Sequence, residues 1–390
     1  MNRSVRWVVL LVTALSLVAC ASMRNNSKSK PDKPMALQEI TSTLKVDRLW
    51  NAGVGSNRKL RLGLGAAADA DTIYIAGSKG DVEALTAATG KLKWKRSIKA
   101  QLAGGPGVGS GMVVIGGSKG DVIALNAADG ALRWRVRLNA EILSAPAVSS
   151  SEVIVRTVDG KLYALESKDG SQRWVVDQQL PRLTLRGNAP PTISGDMVLA
   201  GFDNGRLIAV TRAGGATVWD SAVGQARGSS ELQRLVDIDS GVAIDGDDVF
   251  AVSYQGRVAR IARDTGTLIW AKDMSSYRGL AVNGTGVFVS TTEGELIKLD
   301  RSSGAQEWKQ DSLLRRQLSG PAIVGDYVVL ADYAGVVHWL NASDGRFVAR
   351  SKAGKRVSMT PIKAAGLVIV SDDEGGISAF RLPVATQPSG

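Results

Sequence analysis

The chain has 390 residues, among them 44 Gly, 9 Trp, 1 Cys and 1 His, and a formal net charge of +11. A single Cys excludes an internal disulfide framework and any Cys-based zinc or iron–sulfur site, and a single His excludes sites that need two. The positive charge permits contact with anionic lipid, nucleic acid or an acidic protein without choosing among them.

Arg3 and Arg6 precede apolar stretches at 7–12 and 14–19. This is the layout of a secretory signal, too short for a comfortable membrane span. It ends in Leu17-Val18-Ala19-Cys20, which resembles a bacterial lipobox. That resemblance implies that residues 1–19 are removed and that Cys20 is lipidated on its thiol and its new amine. Several acyl chains, at about 0.8 kcal/mol per buried methylene, would anchor the chain firmly. Ala21, where sorting rules would place Asp for inner-membrane retention, implies the outer membrane. Residues 20–43 read as the lipidated Cys and a flexible tether, polar and basic over 25–34. The body is expected at 44–390.

A repeat fills that body. A central Gly recurs at Gly80, Gly120, Gly160, Gly205, Gly256, Gly294, Gly335 and Gly375. Five residues before each stands an apolar residue, from Ile75 and Ile115 to Val370, ending a short β-rich run. The central Gly is placed in a hairpin turn. Ten residues later comes a second Gly in the first seven copies, and four after that Trp94, Trp134, Trp174, Trp219, Trp270 and Trp308, with Ala349 in the seventh slot. Pro146, Pro191, Pro321 and Pro361 open a further strand. Four short strands per unit of about 40 residues belong to β-propeller blades. The last copy stops without a Trp strand, whereas the body begins with one around Trp50. Trp50 therefore supplies the fourth strand of the eighth blade and closes the ring, leaving no long open edge. The two or three domains suggested by length, at about 150 residues each, become one all-β, eight-bladed propeller. Trp339, in the blade that lacks its own docking Trp, is expected to fill the volume missing at Ala349.

The turn-plus-Trp pattern, as in Thr89-Gly90 with Trp94 and Asp129-Gly130 with Trp134, is similar to the docking motif of quinoprotein propellers. Within that architecture the whole chain resembles the BamB family, lipoproteins of the outer-membrane β-barrel assembly (BAM) complex. Two segments outside the repeat carry the finer likeness: Leu183-Thr184-Leu185-Arg186-Gly187 and Arg234-Leu235-Val236-Asp237-Ile238-Asp239. The resemblance implies that Leu183, Leu185, Arg186, Asp237 and Asp239 contact the periplasmic domains of BamA. It implies a non-enzymatic scaffold with no cofactor, with nascent outer-membrane proteins as a further partner. From the residues alone, both segments link a Trp strand to the next blade and so emerge on one face. Exposed leucines beside charges make a binding patch there. Alternatively the leucines tuck inward and Arg186 pairs with Asp237 or Asp239.

Two other readings compete. A quinone-dependent dehydrogenase would need an axial pocket, a Ca²⁺ carboxylate cluster and, in many cases, a vicinal disulfide that one Cys excludes. A sugar- or peptidoglycan-binding propeller would need clustered exposed aromatics, but seven of the nine Trp occupy docking slots. Gly77-Ser78-Lys79-Gly80 lacks the end of a phosphate loop. Asp245-Gly246-Asp247-Asp248 lacks the later Glu of a Ca²⁺ loop. A serine triad survives only with His338 as its base, and that side chain reads as packed in a strand. Asp372-Asp373-Glu374 reads as a solvated turn. The basic residues are scattered rather than striped, which gives no nucleic-acid face.

Overall fold

The computed structural model describes residues 33–54, 63–187 and 189–381. The expected leader, Cys20 and most of the expected tether lie outside the described residues. Seven antiparallel sheets follow one another at 66–97, 102–137, 147–177, 192–222, 243–273, 280–310 and 322–352. The eighth joins Ile362–Ala364, Leu367–Ser371 and Gly376–Arg381 to the N-terminal strand Asp47–Gly53. These are the eight blades of the propeller. The blade around 102–137 carries a fifth strand, Gly63–Leu64, parallel to Leu102–Gly109. Strands follow directly after Pro146, Pro191, Pro321 and Pro361, because a residue without an N–H is tolerated at the start of an edge strand.

Burial explains the repeat. In blade 1, Thr72–Ala76 is buried throughout, whereas Leu92–Ser97 buries only Trp94. The two middle strands are covered on both faces by neighbouring blades, so they read as continuous apolar runs. The outer strand meets solvent. The core is accordingly a set of layers between blades: Tyr74, Val82 and Trp94 of blade 1 pack with Val113, Ile115 and Ile123 of blade 2.

Each docking Trp belongs to one blade and packs on the next. The Nε1–H of Trp94 donates to Ala127 O at 2.8 Å and that of Trp134 to Ser167 O at 2.8 Å. Trp50, Trp174, Trp219, Trp270 and Trp308 make the same bond to Ala87, Arg212, Arg263, Arg301 and Ala342. The ring lies over the second Gly of the receiving blade. At Gly170 (φ +76°) an added Cβ would come within 2.6 Å of Trp134, so both close approach and left-handed backbone require Gly.

The seal is made by Trp50 pairing with Ala379 and Gly53 with Gly376. It also explains Ala349. A docking Trp needs the turn between third and fourth strands of the next blade, and in blade 8 those strands come from opposite chain ends. Trp339 is fully buried, pairs with Ala349 and meets Phe380 of blade 8 edge-on at 6.1 Å, as the expectation of a volume-filling ring requires.

Residues 35–44, expected largely as tether, run along blade 7. Met35 N donates to Leu314 O at 3.0 Å, Thr43 N to Val348 O at 2.9 Å, and Arg316 Nη1 to Met35 O at 2.9 Å. Arg350 donates to Gln38 O, and Leu37 packs against the layer containing Leu313 and Leu318. His338 is also placed: it is fully buried, with Nε2 3.1 Å from Asp332 Oδ2, which accepts from Arg316 at 2.7 Å.

One expectation is corrected. The acidic turn at 372–374 is not solvated. Asp372 is buried, and its carboxylate accepts from the amides of Lys355, Glu374 and Gly376. It holds the turn together instead of facing water.

Candidate partner-binding face

The hairpin turns between middle strands and the connections between blades share one face. The reason is strand parity, and the hydrogen bonds record it. Leu138 N donates to Gly120 O at 2.8 Å, Gln178 N to Gly160 O at 3.0 Å, and Val223 N to Gly205 O at 3.0 Å. Both singled-out segments lie on this face.

The first leaves blade 3 at Gln178. Leu183 and Leu185 are 43% and 41% exposed, so the leucines do not tuck inward. Arg186 has φ +57°, and its amide donates to Thr184 Oγ1 at 3.1 Å. Its guanidinium is mostly exposed and pairs with Glu141, in the connection between blades 2 and 3. Arg186 thus pairs with neither Asp237 nor Asp239. Gly187, which follows, is buried.

The second segment lies in the longest interval of the repeat, between Gly205 and Gly256. Leu232, just before the segment, is 66% exposed. Leu235, Val236, Asp237 and Ile238 are buried. The Asp237 carbonyl accepts from Tyr254 N at 2.7 Å and Ile238 N donates to Phe202 O at 3.3 Å, which seats the segment between blades 4 and 5. Asp239 is half-buried and lines a cavity of about 240 Å³ at the axial mouth, together with Ser240, Tyr277, Arg278, Ser144 and Thr360.

The five residues therefore divide. Leu183, Leu185 and Arg186 are surface groups, Asp239 lies at the channel mouth, and Asp237, 1% exposed, sits inside. Burial, with the like charges of Asp239 and Asp203, pushes the Asp237 carboxyl far up from its ordinary range. Burial raises Asp239 as well. Two coupled carboxyls titrate as a pair, and burial pushes the pair's protons toward being retained.

Three residues that the sequence reading passed over complete the site. Glu141 holds Arg186. Arg156, ending the strand Glu152–Arg156, and Asp203, after the strand Met197–Gly201, form a buried ion pair. One signal existed for Arg156. In the other blades its slot, four before the central Gly, holds Ala76, Gly116, Gly201, Val252, Ser290, Ala331 and Ser371. The acidic run at 245–248 is occupied by ion pairs: Arg260 and Arg301 hold Asp248 at 2.9 and 3.1 Å.

A sequence model of the family described as outer membrane protein assembly factor BamB matches residues 45–114, 78–310 and 302–382. The BamB of Pseudomonas aeruginosa is 43% identical over 382 residues, covering 97% of this chain and 100% of that protein. That of Xanthomonas campestris is 36% identical, covering 97% of each. Among solved structures, BamB from Moraxella catarrhalis superposes with a TM-score of 0.80 at 28% identity, over 86% of this chain and 100% of that one. A quinohemoprotein alcohol dehydrogenase from Comamonas testosteroni reaches 0.66 at 14% identity, over 88% and 78%, and shares the fold alone.

Proposed function

The chain belongs to the BamB family of outer membrane protein assembly factors, and from that membership we propose that it is a scaffold that binds BamA through the 183–187 loop. Its curated relatives are assembly factors rather than enzymes. The carrying observation is the pair of exposed leucines, Leu183 and Leu185, beside an exposed Arg186 on a loop fixed to a rigid ring. Apolar anchors beside a charge, presented by a scaffold that does not reorganise, are how a binding loop gains affinity. Leu232 and the Asp239 carboxyl extend the surface across the next connection. Cys20 carries the lipid and holds the ring at the periplasmic face of the outer membrane. Positioning the soluble domains of BamA would then raise the yield of inserted barrels.

Capture of BamA from membranes tests this. Leu185→Ala combined with Arg186→Glu should lose most of the BamA recovered by the wild type, at unchanged folding. Cys20→Ser should release the protein from the membrane fraction while leaving capture by the soluble ring intact. Undiminished recovery by the folded double variant would overturn the assignment.

A further inference from the structure

We propose that Arg156 and Asp203 are positioning residues for the 183–187 loop, and that Asp237 supports this loop from beneath instead of meeting a partner. The proposal rests on the reading of that loop as the BamA-contacting segment.

Gly187 is where the exposed loop turns back into the ring, and both of its peptide groups are held. Its amide donates to Asp203 Oδ2 at 3.2 Å, and its carbonyl accepts from Arg156 Nη1 at 2.8 Å. Arg156 and Asp203 are each about 2% exposed and pair with each other. The guanidinium also lies over the Phe202 ring, 5.1 Å from its centroid. The grip therefore joins blade 3, which gives Arg156, to blade 4, which gives Asp203. The connection entering blade 5 adds Asp237. A Cβ placed on Gly187 would stand 2.8 Å from Asp203 Oδ1 and 2.8 Å from Asp237 Oδ1. The backbone thus packs against both carboxyl groups, hydrogen-bonded to Asp203 and in close approach without a hydrogen bond to Asp237.

The fold does not demand this arrangement. Seven blades put a small or apolar residue where blade 3 has Arg156. A buried ion pair contributes little net stability compared with a well-packed apolar pair. What it contributes is direction: charge-assisted hydrogen bonds fix a peptide in one orientation. Here they fix the peptide that follows Arg186. Blade 8 uses the same device once, where Asp373, in the slot equivalent to Asp203, accepts from Ser358 N at 3.0 Å in its own entering connection. Among the described residues, only at Gly187 does an arginine join it from the preceding blade's strand.

Asp237 cannot present a charge to a partner while it lies under Gly187. Its neutral form fits the site, because Asp203 already balances Arg156.

The test uses the full chain and reads the loop and the partner separately. In Arg156→Met with Asp203→Asn, no charge is left unpaired. Amides 185–187 should then exchange with solvent at least about tenfold faster, the loss expected for a charge-assisted hydrogen bond. BamA capture should fall in parallel while the thermal midpoint stays near wild type. Unchanged exchange in a folded variant overturns the proposal. If the double variant fails to fold, Gly187→Ala reads the same loop: faster exchange supports the grip and wild-type exchange overturns it. Asp237→Asn should keep exchange and capture within about twofold of wild type, because an amide fills the space of a neutral carboxyl. Lost capture with a protected loop would make Asp237 a contact residue and overturn its supporting role. If Leu185→Ala with Arg186→Glu leaves capture intact, the functional reading fails, while the exchange data still decide the grip.

Discussion

At the scale of single residues, the leucines were legible and the aspartates were not. Leu183 and Leu185 read as surface anchors or as inward-tucked side chains, and the structure exposes both. The Asp-x-Asp pattern looks like a polar rim, yet Asp237 is covered by groups from three other stretches of chain: Arg156, Gly187 and Asp203. No local signal reports such burial, and the one clue was an arginine in a slot reserved for small residues. The burial has a measurable sign. Asp237 and Asp239 keep their protons in the folded state at a pH where the unfolded chain has released them. Their contribution is therefore fully present below the ordinary carboxyl range and is lost as pH rises. His338 works in the other direction. Burial lowers its affinity for a proton, so its contribution is present above about pH 6.5 and is lost as pH falls. The two slopes oppose each other in the wild type and separate in variants. Asp237→Asn should gain stability relative to wild type as the pH is raised from about 5 to about 8. Chemical denaturation at several pH values checks this. A difference between the two proteins that does not change with pH would show that Asp237 ionises normally.

Among elements, the repeat carried most of the information because spacing and chemistry coincide. The turn Gly of Gly-x-x-x-Trp receives the preceding blade's ring and its Trp docks on the next blade; six copies of this motif, together with a central Gly repeated eight times, gave eight sheets. Seven of the eight central glycines have positive φ; in blade 5 the strain falls on Gln255, at φ +47°, instead of Gly256. The small irregularities were not legible. In each outer strand the register slips by one residue just before the Trp, as at Lys93 and Arg133, or in blade 7 just before Ala349. Such bulges follow from how strongly the strand must twist to turn the ring inward, which no single residue states. The Trp–Gly contact gives an element-scale prediction. Trp134 is 7% exposed and bonded to Ser167, so Trp134→Ala should cost about 3–5 kcal/mol by denaturation. Gly170→Ala should cost about 1–3 kcal/mol, because the Cβ meets the ring and the backbone is left-handed. Combining the two should cost clearly less than the sum, since removing the ring makes room for the Cβ. Strict additivity would mean that the ring and the glycine do not share one contact.

For the whole molecule the question is what keeps eight similar blades in one closed ring. A closed ring leaves no long open edge, only the short outer strand of each blade, but it depends on one strand that must return from the far end of the sequence. Asp47–Gly53 supplies that strand, and the segment before it is fastened as well, with Arg316 and Arg350 donating to main-chain carbonyls of Met35 and Gln38. The closing strand was visible in the sequence as a Trp with no strands before it. The fastening was not, because hydrogen bonds to backbone carbonyls leave no residue signature in the segment that accepts them. The two parts should behave differently when removed. Deleting 35–43 takes away the four hydrogen bonds of Met35, Gln38 and Thr43 and one partly buried leucine, a loss of about 2–4 kcal/mol. The ring should stay closed and unfold in one transition at a lower temperature. Deleting 35–53 removes the fourth strand of blade 8 and takes the Trp50 ring away from Gly90. The bare edge of Gly376–Arg381 then becomes a template for pairing with another copy. That variant should unfold in more than one step and self-associate as concentration rises, which calorimetry and sedimentation will read. If it instead stays monomeric with a single transition, the seal between the two chain ends is not what holds the blades in register.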